Sequence, residues 1–497
     1  MTDQAATIEE SGSESSRQSA GGSSTRLAIA LIALGVASAW LYHWGGDLHR
    51  FTQWISAYIG LFIGLFALYL LACYVVLRWS DRVTHRASLL MLSVVVVFGV
   101  GFRLQLVDER PFLSTDMNRY IWDGRVQAAG INPYRYVPAA PEVAHLRDQH
   151  IYPAINRKDY VFSPYPPVAQ AIYLIVYLAQ PSSTTAFKVA MSLFDVVTIL
   201  AIALVLGRLG LEVSRTVVFA WNPLLIFEGA HSGHIESAFI AFLALALLAW
   251  TYRRSALVGV ALGLATLVKF YPVLLLPAFF SGTRPLLAAA PSELRAGGIN
   301  ARLGRLIVSL RSVLLSKPNL LLIGAFAVTI VVCYMPYIGV GSAVIRPIAG
   351  ELGEEGFTDE GSRYFLLSLA RSILPLPTTV FLGIATLALA VLAIKWLLNE
   401  KRDALDVACG SLGLIGLDLL ITTPRYPWHY AWMIPFLCFV PRIGWLFMTG
   451  ATVLLYLLWY TPWEYPELPR WLGAAIFLPT IGLLAWERLR SKRLTQR

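Results

Sequence analysis

Apolar runs of membrane length recur along this chain and constrain its fold more than any other feature. TQWISAYIGLFIGLFALYLLACYVVL (52–77) and SLLMLSVVVVFGVGF (88–102) are two of them. A helix needs about 20 apolar residues to cross a bilayer, and in lipid every backbone polar group must be bonded inside the protein. Runs like these can only form helices packed against one another. Composition agrees, with 57% hydrophobic and 14% charged residues, where a soluble domain carries about 25% charged residues. The expected fold is an all-α, polytopic transmembrane bundle of about thirteen spans.

The net charge of +10 does not point to nucleic acid, because the basic residues collect in short loops. They lie in RWSDRVTHR (78–86), YRR (252–254), KWLLNEKR (395–402), the tail ERLRSKRLTQR, and 284–317, which has six Lys/Arg against one Glu. That distribution is the footprint of cytoplasmic loops. The four cysteines, Cys73, Cys333, Cys409 and Cys438, sit in or near apolar runs without paired spacing, so no disulfide is expected. Residues 1–25, rich in Ser, Gly, Glu and Gln, read as a disordered cytoplasmic tail, and no cleavable signal peptide is expected before the first span. Residues 26–488 then form one membrane domain, followed by a basic cytoplasmic tail at 489–497.

Loop charge sets a topology. Segments 27–46, 54–77 and 88–107 cross in turn, leaving 108–165 as a long outer loop carrying short helices. The proline-bounded YPPVAQAIYLIVYLAQPSS reads as a half-embedded helix on the outer side, which keeps the basic 207–215 inside. Further on, 284–317 is a basic inner loop, and 340–363, with five acids against two bases, is an acidic outer loop. The pieces 215–230, 272–282 and 428–441 are broken by Gly and Pro and read as interrupted helices, which occur where backbone lines a cavity or is buried in protein.

This arrangement gathers the unusual polar residues on one side. STDMNRYIWDGRVQAAGINPYRY (114–136) opens with a capped helix that puts Asp116, Tyr120 and Asp123 on one face at i, i+4 and i+7. HSGHIES (231–237) brings His231, His234 and Glu236 to an outer turn. Lys269 in ATLVKFYPVLLLP and the turn TPRYPWHYAW (423–432), with Arg425, Trp428 and His429, complete the set. Ionisable residues at membrane depth default to a functional reading. Structural readings stand beside it: Asp116 complementing a helix N-terminus, Asp123 pairing an arginine, Lys269 snorkelling, and the 423–432 aromatics forming an interfacial belt. The HSGHIES residues suit a structural or phosphate-contacting role better than a metal site, since no further ligand is near in sequence.

The order and spacing of D-x-x-R-Y-x-W-D-G…G-x-N-P-Y, the YPP helix, WNPLLIFEGAHSGHIESAFIAFLALAL, LATLVKFYPVLLLPAF and TPRYPWHYAWMIPF resemble the GT-C superfold of polytopic glycosyltransferases. The similarity, over roughly residues 100–440, points to bacterial polyprenol-phosphate-mannose-dependent mannosyltransferases. It implies a multi-pass enzyme of the bacterial cytoplasmic membrane with its active site facing the periplasm or exterior. Such an enzyme moves a sugar, mannose by family bias, from a polyprenyl-phosphate donor to a lipid or glycan acceptor hydroxyl, with inversion. Asp116 matches the family's first-loop aspartate and is the implied base, with Asp123 as the other candidate. Lys269, Arg425, His234 and His429 would meet the donor phosphate, and Tyr120, Tyr165, Glu236 and Trp428 the sugars. Neither a DxD motif nor a soluble nucleotide-sugar domain is present in the sequence, so no cofactor or metal is expected. Membrane lipids are partners and nucleic acid is not. A transporter or flippase of lipid-linked sugars is the alternative, although the aspartate loop and the Lys269 segment have no second copy.

Overall fold

The computed structural model describes residues 25–45, 48, 54–79, 85–282, 299–346, 364–399, 403–460 and 468–495. The expected tail 1–24, most of the acidic loop (347–363) and the first half of the basic loop (283–298) lie outside the described residues. Among those described there is no β-strand, as the apolar runs require.

The long elements are α1 (Thr25–Gly45), α2 (Trp54–Trp79), α3 (His85–Leu106), α4 (Asp116–Ala128), α5 (Pro167–Ala179) and α6 (Thr184–Arg208). They continue with α7 (Glu236–Thr251), α8 (Ser255–Thr266), α9 (Ile299–Leu314), α10 (Lys317–Tyr334), α11 (Thr378–Leu398), α12 (Ala404–Thr422), α13 (Ile443–Ala451) and α14 (Arg470–Thr495). Eight helices are long and apolar enough to cross a membrane, and four shorter apolar ones accompany them, among them α5, α7 and α8. Length and composition alone thus identify eight candidate spans among the described residues. Two segments read as loop or tail are helical. Residues 299–314 of the basic loop are helical, and the basic tail continues α14 as far as Thr495.

The three broken segments are present. Residues 217–231 run as Val217–Ala220, then Pro223–Leu225 capped by Asn222, then a wide π-turn at Ile226–His231. Residues 271–279 and 427–437 each begin as a 3-10 turn with proline in its first turn and pass into a four-residue helical piece. Proline has no N–H to donate to the preceding turn, so the helix cannot run through.

Buried polar ties replace hydrophobic driving force, which lipid does not supply between helices. Arg103 of α3 pairs with Asp195 of α6 at 2.8 Å and also donates to the carbonyls of Gly99 and Ala220. Lys188 of α6 donates to the carbonyls of Leu106 and Glu109, pinning the end of α3. Close packing does the rest. Gly124 puts α4 against α5, where a Cβ would lie 2.6 Å from the Tyr173 carbonyl, and Gly259 of α8 does the same toward Leu322 of α10.

The 108–165 loop is anchored on both sides. Asn132 Nδ2 donates to the Tyr337 carbonyl, and Tyr337 OH donates to Gln127 Oε1. The backbone N–H groups of Val168 and Ala169, at the start of α5, share the Leu267 carbonyl. That bond stitches the YPP helix to the end of α8, two residues before Lys269.

Candidate active site

Four chain segments meet in one cluster. The N-terminus of α4 presents Asp116, and Ser114 Oγ accepts from the Asp116 N–H at 3.2 Å. The π-turn presents Glu228, and the turn after it presents His234. That turn closes through Gly233 at φ +72°, where a Cβ would meet the Met117 side chain of α4 at 2.8 Å. Glycine is therefore needed there for its dihedral, while the Met117 methyl is the flexible end of its side chain. Glu236 opens α7, Lys269 and Tyr271 follow α8, and Arg425 to His429 follow α12.

His234 is the centre of the group. Its Nε2 lies 3.5 Å from Glu228 Oε2, and its Nδ1 lies 3.9 Å from both Asp116 Oδ2 and Glu236 Oε2. Trp428 stacks on its ring at 4.0 Å between centroids, and Tyr426 stacks on Trp428 at 4.6 Å. Glu228 Oε1 accepts from Tyr456 OH at 2.6 Å. Lys269 Nζ lies 3.4 Å from Glu236 Oε1, which also accepts from Tyr271 OH at 3.5 Å. The same ammonium sits 5.7 Å above the Tyr165 ring, and the His429 ring is 6.0 Å from Tyr271.

Exposure separates these groups. The side chains of His234, Glu228 and Glu236 are 1–3% exposed and Lys269 is 9%, while Asp116 is 29% exposed. Asp116 is therefore the carboxylate of the cluster that a substrate can reach. Its position at a helix N-terminus favours the anion, and behind it Glu236 is paired with Lys269.

The structure brings together Asp116, His234, Glu236, Lys269, Trp428, His429 and Tyr165 as the sequence suggests. Arg425 is half-buried on the same turn as Trp428 and His429. Lys269 is also paired with Glu236. Tyr120 departs from expectation: its ring is 1% exposed, stacked on Tyr173 at 4.6 Å and edged by Tyr165, so neither face is open to a sugar.

Asp123 does not join the cluster. Its carboxylate is 2% exposed and accepts from Arg119 Nε at 2.9 Å, Gln170 Nε2 at 3.0 Å and the Ser163 hydroxyl. It binds α4, the 161–163 strap and α5 into one unit, and Arg119 extends the tie to the Val161 carbonyl. Glu228, Tyr271 and Tyr456 join the cluster without being candidates from the sequence, and Tyr426 joins it as one of the 423–432 aromatics. Glu228 had a signal, a lone carboxylate inside the apolar run PLLIFEGA; Tyr456 had none, being 228 residues from its partner.

Among the described residues, no group of three or more His, Cys, Asp or Glu side chains has a metal-binding arrangement. An exposed carboxylate beside a buried imidazole, with cations and aromatic rings at its border, can take a proton from a hydroxyl and hold a phosphorylated carbohydrate.

Comparison with known proteins agrees with this chemistry. The family model described as alpha-(1->6)-mannopyranosyltransferase, N-terminal domain, matches residues 20–282, just over half of the chain. That region contains α1 to α8 and the Asp116, Glu228, His234, Glu236 and Lys269 positions. Searches among curated proteins and solved structures found no match. The chain belongs to the alpha-(1->6)-mannopyranosyltransferase family and is a membrane mannosyltransferase.

Proposed function

We propose that the enzyme transfers mannose from a polyprenyl-phosphate donor to a lipid or glycan hydroxyl on the outer face of the membrane, by single displacement with Asp116 as base. The observation carrying this reading is the 29% exposure of Asp116 in a cluster whose other carboxylates are sealed. The acceptor oxygen attacks the anomeric carbon as its proton passes to Asp116. The bond from that carbon to the phosphate oxygen breaks, and polyprenyl phosphate leaves. Inversion gives the alpha linkage in the family's description only from a beta-linked donor.

His234 is a positioning residue in this scheme, bridging Asp116 to Glu228 and Glu236. Charge grows on the leaving phosphate, so cations placed beside it lower the barrier. Arg425 supplies one, His429 supplies a hydrogen-bond donor, and Lys269 shares its charge between Glu236 and the phosphate. Glu236 and Trp428 border the sugar. A lipid-linked donor accounts for building the site from interrupted membrane helices, since the polyprenyl tail stays in the bilayer. Loop charge supports the outer orientation, and a transferase family favours this reading over lipid-linked-sugar transport.

The test uses the purified chain in lipid vesicles with beta-linked polyprenyl-phosphate mannose and candidate glycolipid acceptors. Asp116→Asn should fold normally and lose about 10²–10⁴-fold in turnover. Turnover equal to wild type in that variant would overturn the assignment, and a product with a beta linkage would overturn inversion from this donor.

A further inference from the structure

The far end of the bundle carries a second constellation that the transfer reaction does not use. α7 leads away from Glu236 for about 24 Å, and α8 begins there and returns to Lys269. Arg208, Arg253 and Arg254, all exposed, line a pocket at that end with Trp250, Ser255 and Asp403. The pocket also meets the first turns of three long helices, at Ser255 of α8, Pro318 of α10 and Ala404 of α12. Helix starts point unbonded N–H groups and partial positive charge outward. The one acid, Asp403, is occupied in capping α12, accepting from Leu405 N at 2.8 Å and Asp406 N at 3.4 Å.

A second cavity adjoins this pocket and has the opposite character. It is an apolar groove between α7 and α8, lined by Phe242, Leu245, Leu248, Leu257, Val260 and Leu264. Arg254 lines both cavities. Arg208 of the pocket lies 3.9 Å above the ring of Tyr252, which lines the groove. A hydrocarbon slot ending at three arginines has the chemistry of an amphiphile with an anionic head.

We infer that this bipartite cavity binds one anionic phospholipid, its phosphate at Arg208, Arg253 and Arg254 and an acyl chain in the α7–α8 groove. Charge complementarity selects the lipid, since a zwitterionic headgroup brings its own cation against the arginines and a free phosphate leaves the groove unused. The site is separate from the transfer site and does not depend on the donor or base assigned there.

Native mass spectrometry of the full chain, exchanged into micelles doped with phosphatidylglycerol or phosphatidylcholine, tests this. Phosphatidylglycerol should be retained in preference to phosphatidylcholine. Arg208→Gln and Arg254→Gln should weaken retention by about fivefold for each arginine removed. Val260→Trp, which fills the groove, should lose the lipid with both arginines intact. Mannose transfer by each variant reports its fold. Equal retention of the two lipids, or retention untouched by the arginine and Val260 changes, overturns the proposal. Displacement of phosphatidylglycerol by equimolar inorganic phosphate also overturns it, by assigning the pocket to a free anion.

Discussion

Replacing Asp123 separates a structural carboxylate from a chemical one. Its Oδ1 holds Arg119 at 2.9 Å, and its Oδ2 holds Gln170 and Ser163. Asp123→Ala leaves the Arg119 side chain, 8% exposed, with the Val161 carbonyl at 3.1 Å as its remaining partner among the described residues. Ser163 and Gln170 lose less, because they also bond each other at 2.6 Å. The stranded guanidinium therefore dominates, and breaking a buried pair of this kind costs about 3–5 kcal/mol. Replacing both partners by apolar residues of similar volume is often neutral, so Arg119→Met combined with Asp123→Leu should recover most of the loss. The assay is denaturant unfolding in mixed micelles, with turnover measured per folded molecule. Folded Asp123→Ala should keep turnover within a few-fold of wild type. A variant with unchanged stability and no turnover would refute the reasoning and make Asp123 a chemical participant.

Three further outcomes follow from single contacts. Gly259→Val places a Cβ where the Leu322 carbonyl would lie 2.2 Å away, so α8 and α10 must part; a loss of about 3 kcal/mol or more is expected, and a neutral result in thermal unfolding would refute that packing. Lys269→Met should lower kcat by about 10²–10³-fold, whereas Glu228→Gln, which keeps its bond to Tyr456 OH, should fold normally and lower kcat less; the reverse ranking in the vesicle assay would remove Lys269 from the proposed chemistry. Asp148, in the 108–165 loop, has its pKa lowered: burial opposes this, but the N–H groups of Ile151 and His150 and the Arg125 side chain outweigh it. Its stabilising contribution is therefore present above the unfolded value of about 3.9 and lost as pH falls through the lower folded value. Limited pepsin digestion of the 108–165 loop should show an acid-side weakening in wild type that is missing in Asp148→Asn.

The apolar runs alone determined a helical membrane protein, because a bilayer core leaves unbonded backbone no alternative. The breaks at 217–231, 271–279 and 427–437 were legible for a similarly local reason, their prolines and glycines. Asp116, His234, Glu236, Lys269 and Trp428 could be gathered from sequence, since polar and ionisable residues are rare in such a chain and each sits at or beside a helix end. Tertiary structure decided their roles. Asp116 and Asp123 share one face of one helix, and the sequence offered both as bases. Only the packing of α5 and the 161–163 strap shows that Asp123 is sealed beneath Arg119, Ser163 and Gln170 while Asp116 stays within reach. The pairing of Lys269 with Glu236 and the recruitment of Glu228 and Tyr456 were likewise invisible in the sequence. They depend on which helix ends meet in space, and that is set by side-chain volume and close approach across segments far apart in the chain.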